Sequence, residues 1–376
     1  MDVKLFVDAL NENNINFFTG VPDSLLGVLC DELVNRYGTD GGNHIVAHNE
    51  GGCVALAGGY HLASGSIPCV YMQNSGIGNA ANPIASLTHP KVYGIPMLFI
   101  IGWRGEPGTK DEPQHVFQGE ITLKLLKDME IEYFIVDKTT MLADVESVLK
   151  GFSSLFAEGK SAAFVIRKGT FSGNNHSYHN SYTLNREEAI GITLEAASSD
   201  PIISTTGKIS RELFEIRHNC GEGHERDFLT VGSMGHSVMI ALGIAMQQPK
   251  RRIWCLDGDG AVLMHMGSMA LVGNYNPEKF IHIVFNNEAH ETVGGMPTAA
   301  KSIDLPSIAK ACGYCHVFRA TNAESLETVL AQAKTQQGPV FIEVQVALGS
   351  RLDLGRPTTT TAHNKLSFMN FLNKGD

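Results

Sequence analysis

Two apolar runs, Ile253-Trp254-Cys255-Leu256 and Phe280-Ile281-His282-Ile283-Val284-Phe285, are followed closely by Gly258-Asp259-Gly260 and Asn286-Asn287, with 25 residues between the two motifs. That interval fits one crossover helix, so the two runs are expected to be neighbouring parallel strands. Their carboxyl ends then lie side by side at the edge where open α/β sheets bind ligands. Asp259 and Asn287 offer hard oxygen donors there, which with a nearby backbone carbonyl and two phosphate oxygens would complete most of a Mg²⁺ octahedron. Gly-Asp-Gly alone is more often an ordinary turn after a strand, and Asn-Asn alone an ordinary loop start. The pair at this spacing, each after a buried-type strand, is the informative signal.

The same alternation runs through the chain. Short apolar runs (Phe17-Phe18, Ile45 to Ala47, Cys69 to Met72, Met97 to Ile101, Phe134 to Val136, Ala163 to Ile166) are continuous rather than alternating, as in strands covered on both faces. Between them, residues 24–37 place Leu25, Leu26, Leu29 and Leu33 on one stripe and stop at Gly38, a helix with a glycine terminator. Residues 168–185 are polar and aperiodic and read as a linker. The pattern then restarts with a helix over 186–198 and strands near Ile202-Ile203, Phe228-Leu229, Ile253, Phe280, His316 to Phe318 and Val340 to Val346. The expectation is an α/β protein of two doubly wound parallel-sheet domains, residues 1–167 and 186–376 joined by 168–185.

A 43% hydrophobic and 18% charged composition suits a well-buried enzyme. Net charge −10 and the absence of any Lys/Arg block argue against a nucleic-acid surface. No apolar stretch reaches the roughly 18 to 20 residues that span a bilayer, and Met1-Asp2-Val3-Lys4 leads directly into amphipathic sequence, so a cytoplasmic protein with no membrane partner is expected. The seven cysteines, including Cys53, Cys69 and Cys255 within apolar runs, suit reduced thiols. Cys312-Gly313-Tyr314-Cys315 has CxxC spacing but no companion pair or His cluster.

The Asp259 and Asn287 motifs resemble the signature of thiamine diphosphate enzymes, in which Mg²⁺ anchors the cofactor's diphosphate. That resemblance asks for a carboxyl group at the aminopyrimidine ring, and Glu50 fits: it follows Ile45-Val46-Ala47 and opens the small-residue helix that contains Cys53 to Tyr60. The alternative is a glutamate that stabilises a helix N-terminus. Gly232-Ser233-Met234-Gly235-His236-Ser237, between strand Phe228-Leu229 and a helix near Val238, is a candidate anion cradle. Within it, Met234 either wedges between the cofactor's rings or simply fills the core. Gly258 and Gly260 flank Asp259 and complete the expected cofactor-binding set with Gly232 and Ser233.

Four further segments narrow the resemblance: Thr19-Gly20-Val21-Pro22-Asp23-Ser24, Tyr71-Met72-Gln73-Asn74-Ser75-Gly76, residues 102–115 (Gly102-Trp103-Arg104 through Gln114-His115) and Gly294-Gly295-Met296-Pro297-Thr298. Over essentially the whole chain the sequence resembles the phosphonopyruvate decarboxylase family, with sulfopyruvate decarboxylase as a near relative. The resemblance implies a pyrimidine-binding domain followed by a diphosphate-binding domain, without the central domain of larger relatives. It implies Asp259, Asn287 and the Ala289 carbonyl as Mg²⁺ ligands and Glu50 as the activating acid. It also implies a homodimer or higher homo-oligomer with sites at the subunit interface.

The implied reaction is non-oxidative decarboxylation of 3-phosphonopyruvate to phosphonoacetaldehyde and CO2, within phosphonate (2-aminoethylphosphonate-type) biosynthesis. A phosphonate-bearing 2-keto acid needs cations or clustered amides. Arg104, Lys110 and His115 are expected in one Gly/Pro-rich loop after strand Met97 to Ile101, with Asn74 joining the substrate set. His115, Asp23 and Ser24 are catalytic candidates; capping is the alternative for the last two, and a solvated loop for Arg104 and Lys110. Arg351 and Arg356 are reserve cations. Sulfopyruvate as substrate and a non-catalytic cofactor-binding module remain the alternatives.

Overall fold

The computed structural model describes residues 1–39 and 41–374, which divide into two compact units, Met1–Ser177 and Tyr178–Asp376. The division falls inside the polar segment 168–185. The first unit carries β1 (Phe18–Gly20), β2 (His44–Val46), β3 (Cys69–Gln73), β4 (Leu98–Gly102), β5 (Glu132–Val136) and β6 (Ala162–Ile166), in the order β2-β1-β3-β4-β6-β5. All pairings are parallel. The order reverses between β1 and β3, which opens a crevice at their carboxyl ends.

The second unit contributes β7 (Ile202–Ser204), β8 (Asp227–Leu229), β9 (Ile253–Gly258), β10 (Lys279–Asn286), β11 (Ala289–His290), β12 (Met296–Pro297), β13 (His316–Ala320) and β14 (Gly338–Gln345). Its parallel sheet runs β13-β14-β10-β9-β7-β8, with the switch between β7 and β9, and β11 and β12 form a separate antiparallel ribbon. The apolar runs divide by alternation. Ile253 and Cys255 of β9 with Phe280 and Val284 of β10 enter one core, whereas Trp254, Leu256, Ile281, Ile283 and Phe285 enter the other. Both faces are covered by helices, which is why the runs lack a polar beat.

Boundaries shift where local chemistry decides them. The expected helix over 24–37 begins only at Gly27. The small-residue helix extends over Glu50–Ser64, with Asn49 accepting from the Gly52 N–H as N-cap and Gly65 at φ 70° ending it. No helix among the described residues is long and apolar enough to cross a membrane.

Candidate active site

In the second unit, β9 and β10 pair in parallel with Gly258 opposite Phe285, so the two motifs emerge side by side. Asp259 is fully buried and opens the short helix Asp259–Met264. Burial pushes its carboxyl up to about 7, against hydrogen bonds from Thr298, from the Gly260 and Asp259 backbone and from the Asn287 backbone. Every one of those donors is neutral, so the charged form of this buried carboxylate would call for a cation beside it. Asn287 Oδ1 accepts the Ala289 N–H at 3.1 Å while its Nδ2 donates to Glu291 Oε2 at 2.7 Å, which fixes the amide plane. The Thr298 N–H donates to the Glu288 carbonyl at 2.9 Å, so the neighbouring Ala289–Pro297 pair is the non-hydrogen-bonded one and the Ala289 carbonyl turns away from β12. A carboxylate, an amide oxygen and an outward carbonyl are the hard donors that Mg²⁺ takes.

The turn 232–235 lies at the carboxyl ends of the same sheet. Gly232 (φ 70°), Ser233 (φ 48°) and Gly235 (φ 82°) all adopt left-handed backbone, and Ser233 does so at a cost that marks it as a functional candidate. The Gly232 N–H donates to Thr206 Oγ1, and Ser233 Oγ lies 3.2 Å from His236 Nδ1. A Cβ on Gly260 would lie 3.4 Å from Met234 Cε and 3.0 Å from His290 Nδ1, so Gly260 keeps the space between the two motifs open. Thr205 and Thr230, at the ends of β7 and β8, carry buried hydroxyls without a partner. Sequence reading missed Thr205, Thr206, Thr230 and His290, and quoted Thr298 without a role.

In the first unit Glu50 is 5% exposed at the first position of its helix, and its Oε2 accepts from Asn79 Nδ2 at 2.8 Å. Burial raises its pKa, opposed by the Asn79 hydrogen bond and the helix backbone. The carboxyl occupies the space that a side chain at Gly76 would take: a Cβ there would sit 2.5 Å from Glu50 Cγ and Oε1. Gly76 leaves the slot that this buried carboxyl fills, and the first-turn position also favours a negative charge at the helix N-terminus.

A second group gathers at the crevice between β1, β3 and β4. Asp23 is fully buried, Gln73 Nε2 donates to its Oδ1 at 2.7 Å, and Oδ2 has no hydrogen-bond partner among the described residues. Burial raises its pKa despite Gln73 and the nearby Arg104 charge. Gly102 makes the approach possible, since its Cβ would fall 2.2 Å from Asp23 Oδ2. Arg104 is held bidentately by Asp111 (2.8 and 2.6 Å) and donates to Ser24 Oγ at 2.8 Å. His115 is buried with an unpartnered Nδ1, and burial with the Arg104 charge lowers its pKa to about 4 although Asp111 opposes this. The imidazole is thus neutral.

One expectation changes here. His115 sits not in the loop but on the first turn of helix Pro113–Asp128, which Pro113 opens after an extended Glu112. Asn74 is bonded within the chain: its Nδ2 donates to the Arg104 carbonyl and to Thr122 Oγ1, both at 2.8 Å, and its Oδ1 accepts the Arg104 N–H. It holds the Arg104 loop. Lys110 is exposed. Arg351, one of the reserve cations, is paired with Glu187, Glu215 and Asp353 in the second unit.

Two parallel sheets with an Asp, Asn and carbonyl donor set on one, and a buried slot-held carboxyl on the other, define a thiamine diphosphate enzyme. The descriptions "Thiamine pyrophosphate enzyme, N-terminal TPP binding domain" and "Thiamine pyrophosphate enzyme, C-terminal TPP binding domain" match residues 3–128 and 206–344. The chain is 33% identical to a phosphonopyruvate decarboxylase of Streptomyces viridochromogenes over 97% of this chain and 94% of that one. It is 32% identical to a phosphonopyruvate decarboxylase of Streptomyces hygroscopicus over 90% and 86%. A sulfopyruvate decarboxylase subunit beta of Methanothermobacter thermautotrophicus is 35% identical over 44% of this chain and 84% of its own. The chain belongs to the phosphonopyruvate decarboxylase family, carboxy-lyases dependent on thiamine diphosphate.

Proposed function

We propose that this decarboxylase converts 3-phosphonopyruvate to phosphonoacetaldehyde and CO2 in a route that makes phosphonates such as 2-aminoethylphosphonate. The observation that carries the substrate is the likeness along nearly the full length of two phosphonopyruvate decarboxylases. Thiamine diphosphate, when bound, supplies the electron sink for the pair released as CO2 leaves. Asp259, Asn287 Oδ1 and the Ala289 carbonyl would hold Mg²⁺, and the turn 232–235 would take the diphosphate, with Met234 and Gly260 shaping the space beside it. Glu50, whose pKa burial raises, would exchange a proton with the aminopyrimidine when the cofactor is bound.

Asp23, whose pKa burial raises, would supply the proton to the carbon that loses CO2, and neutral His115 would donate or accept a proton in the same unit. Ser24 orients Arg104, which would face the phosphonate, while exposed Lys110 adds a screened charge to the same loop. A sulfonate carries one negative charge where a phosphonate approaches two, so sulfopyruvate is the substrate to exclude by measurement. We place the enzyme in the cytoplasm, a reading supported by its seven free thiols.

The active assembly is a homodimer or larger, with each site built from the first unit of one subunit and the second unit of another. Exposed apolar residues support this: Leu56 and Leu62 on the Glu50 helix, and Met246, Leu271 and Tyr275 on helices of the second unit. CO2 release should require thiamine diphosphate and Mg²⁺ and be lost in Glu50→Gln. Mixed with exchange, inactive Glu50→Gln and inactive Asp259→Ala subunits should regain activity at interfaces that combine two intact halves. No recovery after demonstrated exchange contradicts the shared site.

A further inference from the structure

Asn287 is held from both ends by residues that ligate nothing in the reading above. At its side chain, Glu291 Oε2 accepts from Asn287 Nδ2 at 2.7 Å. The same Glu291 carboxylate pairs with the Arg186 guanidinium and accepts from Lys208 Nζ at 2.7 Å. Arg186 in turn forms a bidentate pair with Glu212 at 2.8 and 2.7 Å. Two cations and two carboxylates cancel, so the buried cluster adds no net charge beside the metal donors. Arg186 and Glu212 side chains are only 5% and 2% exposed, which gives the cluster a rigid base.

At its main chain, the Asn287 carbonyl accepts from Asn180 Nδ2 at 3.0 Å. Asn180 also donates to the Val346 carbonyl at 3.0 Å and accepts the Leu348 N–H at 3.2 Å, which ties the turn to the end of β14. Two residues on, the Tyr182 hydroxyl donates to Glu288 Oε1, and Glu288 occupies the left-handed conformation at φ 60°. The polar segment before Arg186 is therefore bonded along the metal-binding turn.

We propose that Glu291 and Asn180 are positioning residues for Asn287, setting the direction of its Oδ1 and thereby the affinity of the site for a divalent cation. The proposal rests on the assignment of Asn287 as a Mg²⁺ ligand. The Ala289 N–H takes one lone pair of Oδ1, and the Nδ2–Glu291 bond fixes the amide plane, so the second lone pair has one direction. Freed of Glu291, the amide can rotate about its own side-chain bonds. Partners that orient a ligand in this way are worth about 10- to 100-fold in metal affinity.

The test is calorimetric titration of Mg²⁺ into full-length protein saturated with thiamine diphosphate, together with melting temperature and kcat at saturating Mg²⁺. Glu291→Gln should weaken Mg²⁺ binding about tenfold or more while kcat at saturating Mg²⁺ stays within about threefold of wild type. Asn180→Ala tests the main-chain tether and should shift Mg²⁺ affinity in the same direction, which keeps the proposal open to refutation if Glu291→Gln folds poorly. Arg226→Gln, which breaks a pair with Glu222 elsewhere in the unit, should lower the melting temperature without altering Mg²⁺ affinity. Mg²⁺ affinity within twofold of wild type in both Glu291→Gln and Asn180→Ala overturns the proposal. Mg²⁺ binding unchanged in Asp259→Ala, or absent in wild type, refutes the metal assignment itself instead.

Discussion

Replacing Gly76 by alanine tests the Glu50 carboxyl without touching it. The backbone at Gly76 is ordinary right-handed helical (φ −68°, ψ −17°), so alanine meets no conformational penalty. The new Cβ would lie 2.5 Å from Glu50 Cγ and Oε1, whereas ordinary contact starts at 3.4 Å. The carboxyl must therefore retreat by about 0.9 Å, pulling on its 2.8 Å bond to Asn79. A displacement of about 1 Å in a catalytic group costs on the order of 10²-fold in rate, or about 2.7 kcal/mol in the barrier. We expect kcat for CO2 release to fall about 100-fold at saturating cofactor and Mg²⁺, with Mg²⁺ affinity unchanged. Gly78→Ala is the control, since its Cβ meets nothing within 4 Å, and should behave as wild type. Wild-type turnover in a folded Gly76→Ala enzyme would show that the position of the Glu50 carboxyl does not govern the reaction.

Because burial and Arg104 hold the His115 pKa near about 4, the unfolded chain takes up this proton near pH 6.5 and the folded chain does not. The stability that neutral His115 contributes is complete above pH 6.5 and is lost as pH falls toward 4. The urea midpoint of wild type should drop further between pH 7 and 5 than that of His115→Gln, and equal drops would contradict the assigned environment. Arg104→Met should raise KM for phosphonopyruvate about tenfold, since a charge-assisted contact is worth roughly 1.5–3 kcal/mol. Exposed Lys110→Met should raise it less than about threefold. An unchanged KM in Arg104→Met removes the loop from the phosphonate site.

The paired strand ends were legible in the sequence because strand runs, the crossover interval and hard donors are all local features. Glu50 was legible through resemblance, but the slot that Gly76 provides for it is a contact between separate helices and leaves no local pattern. Gln73 beside Asp23 and Thr298 beside Asp259 are likewise long-range pairings, whereas Glu291 lies only four residues from Asn287. Asn74 joins the substrate set with the resemblance, and its side chain turns toward the Arg104 loop, whose backbone groups need partners once buried. His115 could have been placed better: Pro113 two residues before it is a helix-start signal. The polar segment 168–185 read as a bare linker since its bonds, such as Asn180 to Asn287, run to residues more than a hundred positions away.

The most direct measurement of the central claim is CO2 release from 3-phosphonopyruvate and sulfopyruvate, side by side, by purified protein supplied with thiamine diphosphate and Mg²⁺. Arg104, held rigidly on Asp111, should favour the more highly charged phosphonate, giving a kcat/KM about tenfold or more higher than for the sulfonate. Release dependent on both cofactors with that preference is the predicted result. A preference for sulfopyruvate, or no cofactor-dependent release from phosphonopyruvate, contradicts the account.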